Sequence, residues 1–399
     1  MGAAPDLGGQ SGSQLGRNHG IAVGGAEYSV DDVLAARILG QAARSTLFDG
    51  GRFTFTETNA YSGDNGRAAI TNDEHGNDLI YAAGNAGQSK KPPNGVILGA
   101  GAQFLTPSVL PEADQSPGQP TPLGSFNITE LGYAADKSSK DNNFRAVTVF
   151  DNVVYYTKGS GGNGINTVYF VDTTGKACPN GVGLPEPGAQ PTSPPTFTVS
   201  NAGPVPTNMC ILKGFPTNLA TSTTMFPFGM WFANAHTLYV ADEGSGDNTY
   251  SSATGQYTNA TEAAQPAAGL EKWVFDPTSG QSKLAYTLQN GLNLGQPYTI
   301  PGYPTGDNPA TGLPWSPATD GLRALTGRVN RDGTATIWAV TSTVSGGGDQ
   351  GADPDKLMTI DDPVDATTLD PSESFRTVRT AKFGEVLRGV SFTPGTDSR

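Results

Sequence analysis

Apolar residues in this chain come in short runs, many alternating with hydroxyl or charged residues, and turns rich in Gly, Pro, Asn and Asp separate them. A period of two over short runs predicts β-strands, because successive strand side chains point to opposite faces. One small string recurs: Arg67-Ala68-Ala69-Ile70, Arg145-Ala146-Val147-Thr148, Leu322-Arg323-Ala324-Leu325-Thr326 and Arg388-Gly389-Val390-Ser391. A looser copy, Phe228-Gly229-Met230-Trp231, has a ring in place of the arginine. Each copy follows a loop, and those at 67, 145, 228 and 323 precede a second strand-like run. A strand unit repeated at intervals of tens of residues predicts an all-β chain, a β-propeller of four-stranded blades.

The blades can be laid out along the sequence. The first takes strands near 67–71, 79–83, 95–99 and 126–131, the second 145–150, 153–157, 167–171 and 210–215. The third takes 228–232, 237–241, 270–275 and 283–288, and the fourth 323–329, 336–340, 357–360 and 375–379. Tight turns are expected at Asp151-Asn152 and at Asn330-Arg331-Asp332-Gly333. The last inner strand, 387–392, has no partners after it, whereas the alternating run Arg52-Phe53-Thr54-Phe55-Thr56-Glu57 lacks partners near the start. Sharing one blade between the termini would close the ring and remove open sheet edges, for about five blades. Residues 1–45 are expected as a poorly structured segment, with 1–20 disordered and a short helix over 29–43 (SVDDVLAARILGQAA). Residues 46–399 form the single propeller domain in this reading.

Composition narrows the function. The chain has 399 residues, net charge −13, 53 Gly and 30 Pro, a balance suited to short strands and many turns. With only 24 Lys and Arg and no basic run beyond Lys90-Lys91, it lacks the clustered cations that nucleic acid requires. No apolar stretch approaches the roughly 18 residues of a membrane span. The first residues do not read as a signal peptide, yet few lysines, Thr/Ser/Asn/Gly-rich loops and two cysteines fit an extracellular monomer whose leader has been removed. Cys178 and Cys210 flank a Pro/Gly-rich insertion, and neighbouring antiparallel strands would bring them together. A disulfide there would contribute about 3–4 kcal/mol by constraining the unfolded chain.

The strings NAYSGDNGRAA, VVYYTKGSGGNGINTVY, LYVADEG, GLEKWVF, YTLQNGLNLGQPY and TSTVSGGGDQGADP resemble a family of bacterial secreted propeller proteins, mostly without assigned function, over roughly residues 51–394. The resemblance implies secretion and a propeller of six or seven blades, and it implies no catalytic residue.

Candidate chemistry concentrates in the long loops 59–66, 84–94, 133–143, 159–164, 243–268, 289–321 and 342–355, which propeller geometry places on one face. An acid precedes each repeated arginine: Asp64 for Arg67, Asp141 for Arg145, Asp320 for Arg323 and Glu385 for Arg388. Two readings stand side by side: a charged funnel for an anionic or hydroxyl-rich ligand, or a girdle of ion pairs locking the inner strands. Asp349, Asp353 and Asp355 are candidate oxygen ligands for a structural Ca²⁺, against solvated acidic turns; no other cofactor is expected. Trp315 and Tyr303 share a loop with Tyr298, and rings beside carboxylates suit a carbohydrate or cell-envelope ligand; the other reading has Trp315 pinning its loop. The three histidines fall outside that face, and no nucleophile elbow, P-loop or dinucleotide fingerprint occurs in a suitable context. No catalytic motif is therefore identified. The functional expectation is a binding or scaffold protein, with two alternatives: a glycan hydrolase or lyase using carboxylates at the channel mouth, or a purely structural protein. A hydrolase would need two carboxylates facing each other across a cleft at about 5–10 Å.

Overall fold

The computed structural model describes residues 144–159, 165–172, 176–177, 180–186, 209–218 and 225–392, together with the backbone of the strands between 20 and 127. The chain is all-β, with several antiparallel sheets and no α-helix among the described residues. Nor, among those residues, is any helix long and apolar enough to cross a membrane.

The first sheet comprises β1 (Gly20–Val23), β2 (Ala26–Ser29), β3 (Leu34–Leu39), β4 (Ala43–Phe48) and β5 (Thr54–Glu57), in the order β2-β1-β3-β4-β5. Here the expected helix over 29–43 is overturned, because β3 and the start of β4 occupy it. Leu34, Ala36 and Ile38 serve a period of two as readily as a helical stripe, and pairing with β1 and β4 decides between them. The expectation for residues 1–19 lies outside the described residues.

Four meandering sheets follow. The second contains β6 (Gly66–Asn72), β7 (Leu79–Gly84), β8 (Ala100–Leu105) and β9 (Ser125–Asn127), with β8 five residues beyond its expected place. The third contains β10 (Phe144–Phe150), β11 (Val153–Lys158), β12 (Thr167–Val171), β13 (Val182–Gly183) and β14 (Met209–Leu212); the short parallel β13 was not foreseen. The fourth contains β15 (Pro227–Asn234), β16 (Thr237–Asp242), β19 (Gly269–Asp276) and β20 (Gln281–Leu288). A small hairpin, β17 (Tyr250–Ser251) and β18 (Gln256–Tyr257), projects from the loop between β16 and β19. The fifth contains β21 (Ala318–Val329), β22 (Thr334–Val344), β23 (Lys356–Pro363) and β24 (Arg376–Thr380). Asp151 and Asn152 turn β10 into β11 at φ 49° and 59°, a left-handed pair that Asp and Asn tolerate better than most residues.

Successive sheets pack through their first strands: β10 lies against both β6 and β15, and β15 against β21. The alternation along β16 shows how. Leu238 and Val240 enter the core shared with the third sheet, around Phe144, Tyr156, Tyr169 and Trp273. Tyr239 and Ala241 enter a second core with Leu270, Ile337, Met358 and Phe375 against the fifth sheet. Both faces of β16 are therefore buried, which accounts for its nearly continuous apolar run. Close approach is built in: a Cβ on Gly229 would meet the Arg323 carbonyl oxygen at 2.4 Å, and one on Gly159 the Pro227 oxygen at 2.1 Å.

The blade shared between termini is not seen. Residues 387–392 form no strand and lie half-buried beside the fifth sheet, with Phe392 edge-on to Trp338 at 5.3 Å. β5 pairs with β4 instead. The first sheet thus satisfies its own strands, which removes the vacancy the C-terminal run was expected to fill.

Candidate functional site

In the four copies that lie on first strands the repeated string is a β-bulge. Register shifts fall between Gly66 and Ala68, Phe144 and Ala146, Pro227 and Met230, and Leu322 and Leu325, bracketing Arg67, Arg145, Phe228 and Arg323 in turn. A bulge re-aims the side chain it carries. In the third sheet the freed Ala146 N–H donates to Thr157 Oγ1 at 3.0 Å, and that hydroxyl donates onward to the Phe228 carbonyl at 2.5 Å, tying the third sheet to the fourth.

What the bulges of the third and fifth sheets aim at is Glu243, immediately after β16 and 1% exposed. Arg145 Nη2 lies 2.7 Å from its Oε1 and Arg323 Nε 3.0 Å from its Oε2, so one carboxylate from the fourth sheet clamps arginines of the third and fifth. Phe228 completes the arrangement, with both guanidiniums over its ring at 5.4 and 5.2 Å. The ring that replaces arginine in the looser repeat is thus the element the two neighbouring arginines share. Arg388 joins from the C-terminal side. A Cβ on Gly351 would meet Arg323 Nη1 at 1.9 Å and Arg388 Nη1 at 2.6 Å.

The expected pairing of each arginine with the acid before it is overturned where it can be followed. Asp320 accepts instead from Gln265 Nε2 at 2.7 Å, Gln350 Nε2 at 2.7 Å and Gly246 N at 2.8 Å. Glu385 pairs with Arg379 on the surface at 3.0 Å. Successive bulges bring side chains together across sheets, so an arginine meets an acid of the adjoining sheet and not its own loop. Arg67 lies on β6; Asp64 and Asp141 are outside the described residues.

Burial dominates the electrostatics. Asp242 is pushed up to about 7 by desolvation, against the N–H groups of Phe226 and Gly244 that hold it down, with Glu243 and Asp320 raising it further. Desolvation likewise lifts Asp320 to about 6, opposed by Gln265, Gly246 and Gln350. Glu271, buried on β19 with Trp273 Nε1 donating to it at 2.8 Å, is raised by desolvation and by Asp242. Asp355 is pushed up to about 7 by burial, while the Leu387 N–H, Arg388 and Arg323 act in the opposite sense.

Three long loops interlock above this cluster. Asn248 Nδ2 donates to the Ser345 carbonyl, Asn308 Nδ2 to that of Gly346, and the buried Tyr257 hydroxyl to those of Pro314 and Ser316. Tyr303 and Ser345 both donate to Asp353, and Tyr298 to the Pro354 carbonyl at 2.8 Å. Asp349 accepts the Gly351 N–H at 2.9 Å. The three aspartates proposed for Ca²⁺ thus have separate protein partners, and among the described residues no group of three or more His, Cys, Asp or Glu is placed to hold a metal ion. Trp315 is half-buried, its backbone N–H donating to the Gly306 carbonyl at 2.9 Å. Cys210 is buried and disulfide-bonded; the chain's other cysteine, Cys178, is outside the described residues.

Sequence reasoning passed over a second charged network, between the fourth and fifth sheets. Lys272 and Asp362 pair at 2.8 Å with neither side chain exposed. Lys272 Nζ also donates to Tyr286 Oη at 3.0 Å and to the Pro363 carbonyl at 2.5 Å, while Tyr239 and Tyr286 donate to Asp362. A signal was available: Glu271-Lys272 interrupts the strand run GLEKWVF, and adjacent charges in a strand buried on both faces must each find a buried partner, Trp273 for Glu271 and Asp362 of the fifth sheet for Lys272.

No model of a known protein family matches the chain, and no curated protein is similar to it.

Proposed function

We propose that the chain is a secreted β-propeller-type binding or scaffold protein that presents its interlocked loop face to a carbohydrate or cell-envelope ligand, and that it is not a glycan hydrolase. The observation that carries this reading is that the described loop-face acids at the centre, Asp242, Glu243, Asp320, Asp353 and Asp355, each accept a hydrogen bond or ion pair from within the protein. Glycoside hydrolysis needs one carboxyl free to protonate the leaving group and a second facing it across a water- or sugar-filled gap. Acids that are buried and already hydrogen-bonded serve as struts. The Arg145–Glu243–Arg323 clamp likewise fits the girdle better than the funnel, because its guanidiniums are almost wholly withdrawn from solvent.

Side-by-side packing of four bulged first strands supports the propeller, and the resemblance noted in the sequence supports secretion, as does the disulfide of Cys210, since such bonds persist in oxidising compartments. On the loop face, half-buried Trp315 supplies a ring for an apolar sugar face. The test is a glycan array with a parallel polysaccharide-turnover assay. Binding without release of reducing ends is expected, weakened about tenfold in Trp315→Ala; sustained release by the wild-type chain would overturn the reading.

A further inference from the structure

Away from the long loops, the third and fourth sheets part around a cleft of about 280 Å³. It opens beside the Asp151-Asn152 turn and the Ala235-His236 turn, on the side of the short strand connections. Its size is near the lower end for ligand pockets, about 300–1,000 Å³, so any occupant is a small molecule.

Five of its lining residues are Phe, Tyr or Trp, namely Phe150, Tyr155, Phe232, Trp273 and Phe275, and the imidazole of His236 stands edge-on to Phe275 at 6.0 Å. Phe232 is fixed between Phe150, stacked at 4.6 Å, and Tyr155 at 4.7 Å. Trp273 is held by its stack on Phe215 at 4.0 Å and by its hydrogen bond to Glu271. The rings are therefore positioned before any ligand arrives. One carboxylate, Asp151, joins the lining, and no lysine or arginine does. Lys283, next along β20 from the lining Ser282, pairs with Asp276 at 2.6 Å. Asp151 is close enough to Tyr155 for its charge, after burial, to push the phenol further up.

We propose that this cleft binds a small quaternary ammonium compound, with the rings surrounding the cationic head and Asp151 opposing its charge. Aromatic faces attract a cation through their quadrupole, most strongly where water is excluded. A quaternary head offers no N–H and needs no acceptor, which matches a mainly apolar lining; a primary ammonium would lose hydrogen bonds to water that the cleft does not replace. An anionic ligand would meet Asp151 with no lysine or arginine in the lining to offset it.

Choline is the probe, titrated calorimetrically into the full chain beside 3,3-dimethylbutan-1-ol, its neutral carbon isostere. Choline is expected to bind saturably and about tenfold more tightly than the isostere. Asp151→Asn keeps a residue that accepts positive φ, so the turn survives, and should weaken choline at least about threefold without affecting the isostere. Phe275→Leu should weaken choline more than the isostere, with thermal melting confirming that the variant is folded. The proposal is overturned if both probes bind equally, if choline shows no saturable heat, or if Asp151→Asn leaves choline affinity unchanged.

Discussion

Glu243 is the residue on which the centre of the molecule turns. With two arginines on one buried carboxylate, removing its charge leaves two guanidiniums without their counter-ion in a site that excludes water. Breaking a buried ion pair from one side costs about 3–5 kcal/mol, so Glu243→Gln should lower the urea midpoint by a comparable loss of stability. Glu385→Gln is the control. Its pair with Arg379 is solvent-exposed, and screening by water makes such pairs nearly neutral, so its midpoint should not move. Equal effects of the two substitutions would restore the acid-before-arginine pairing that the geometry replaces.

At the scale of the strand, the bulge in each first strand explains why a small residue accompanies the repeated arginine or its substitute. Gly229 faces the backbone of β21, where a methyl group would have to displace a carbonyl oxygen and not a flexible side-chain tip. Gly229→Ala should therefore cost about 2–3 kcal/mol by forcing β15 and β21 apart. Gly348 provides the contrast, with open space around it but φ at +76°, so alanine there carries only conformational strain of about 1 kcal/mol. Chemical denaturation of both variants checks the order. If Gly348→Ala proves the more damaging, close packing of first strands is not what holds the sheets together.

For the whole molecule, buried acids set the response to pH. Asp242, Asp320, Asp355 and Glu373 have folded pKa values raised to about 7, 6, 7 and 7, in each case chiefly by desolvation. Between the ordinary carboxylate range and these values the folded chain holds protons that the unfolded chain has released. Their contribution to stability is thus complete at low pH, declines from about pH 4 to 7 and then levels off. Asp247, Asp276, Asp332, Asp370 and Glu385 are shifted down by local hydrogen bonds, Asp276 and Glu385 also by neighbouring Lys or Arg, and act oppositely as pH falls below about 4, but they are exposed or nearly so. Self-repulsion of a chain carrying −13 at neutrality adds to the loss at high pH. The melting temperature should therefore peak near pH 4–5 and be lower at pH 8; a maximum above pH 7 would contradict this.

Much of the strand content was legible because it is local. Period two in residues such as Leu238 to Ala241, and the return of a small string before each meander, depend only on neighbours along the chain. The same local pattern misled over 29–43, where apolar spacing satisfies helix and strand alike until a neighbouring strand is present. Cys210 and the tight Asp151-Asn152 turn were readable from residue type; the partners of the charges were not. Arg145 meets a glutamate 98 residues away, and Lys272 an aspartate 90 away, because bulges and alternating faces carry those side chains into other sheets. The sequence by itself determined most of the strands and the tight turns between them from residue 144 to 380. Tertiary structure alone decided which buried charges neutralise one another, since that depends on which sheets abut and how little water remains between them.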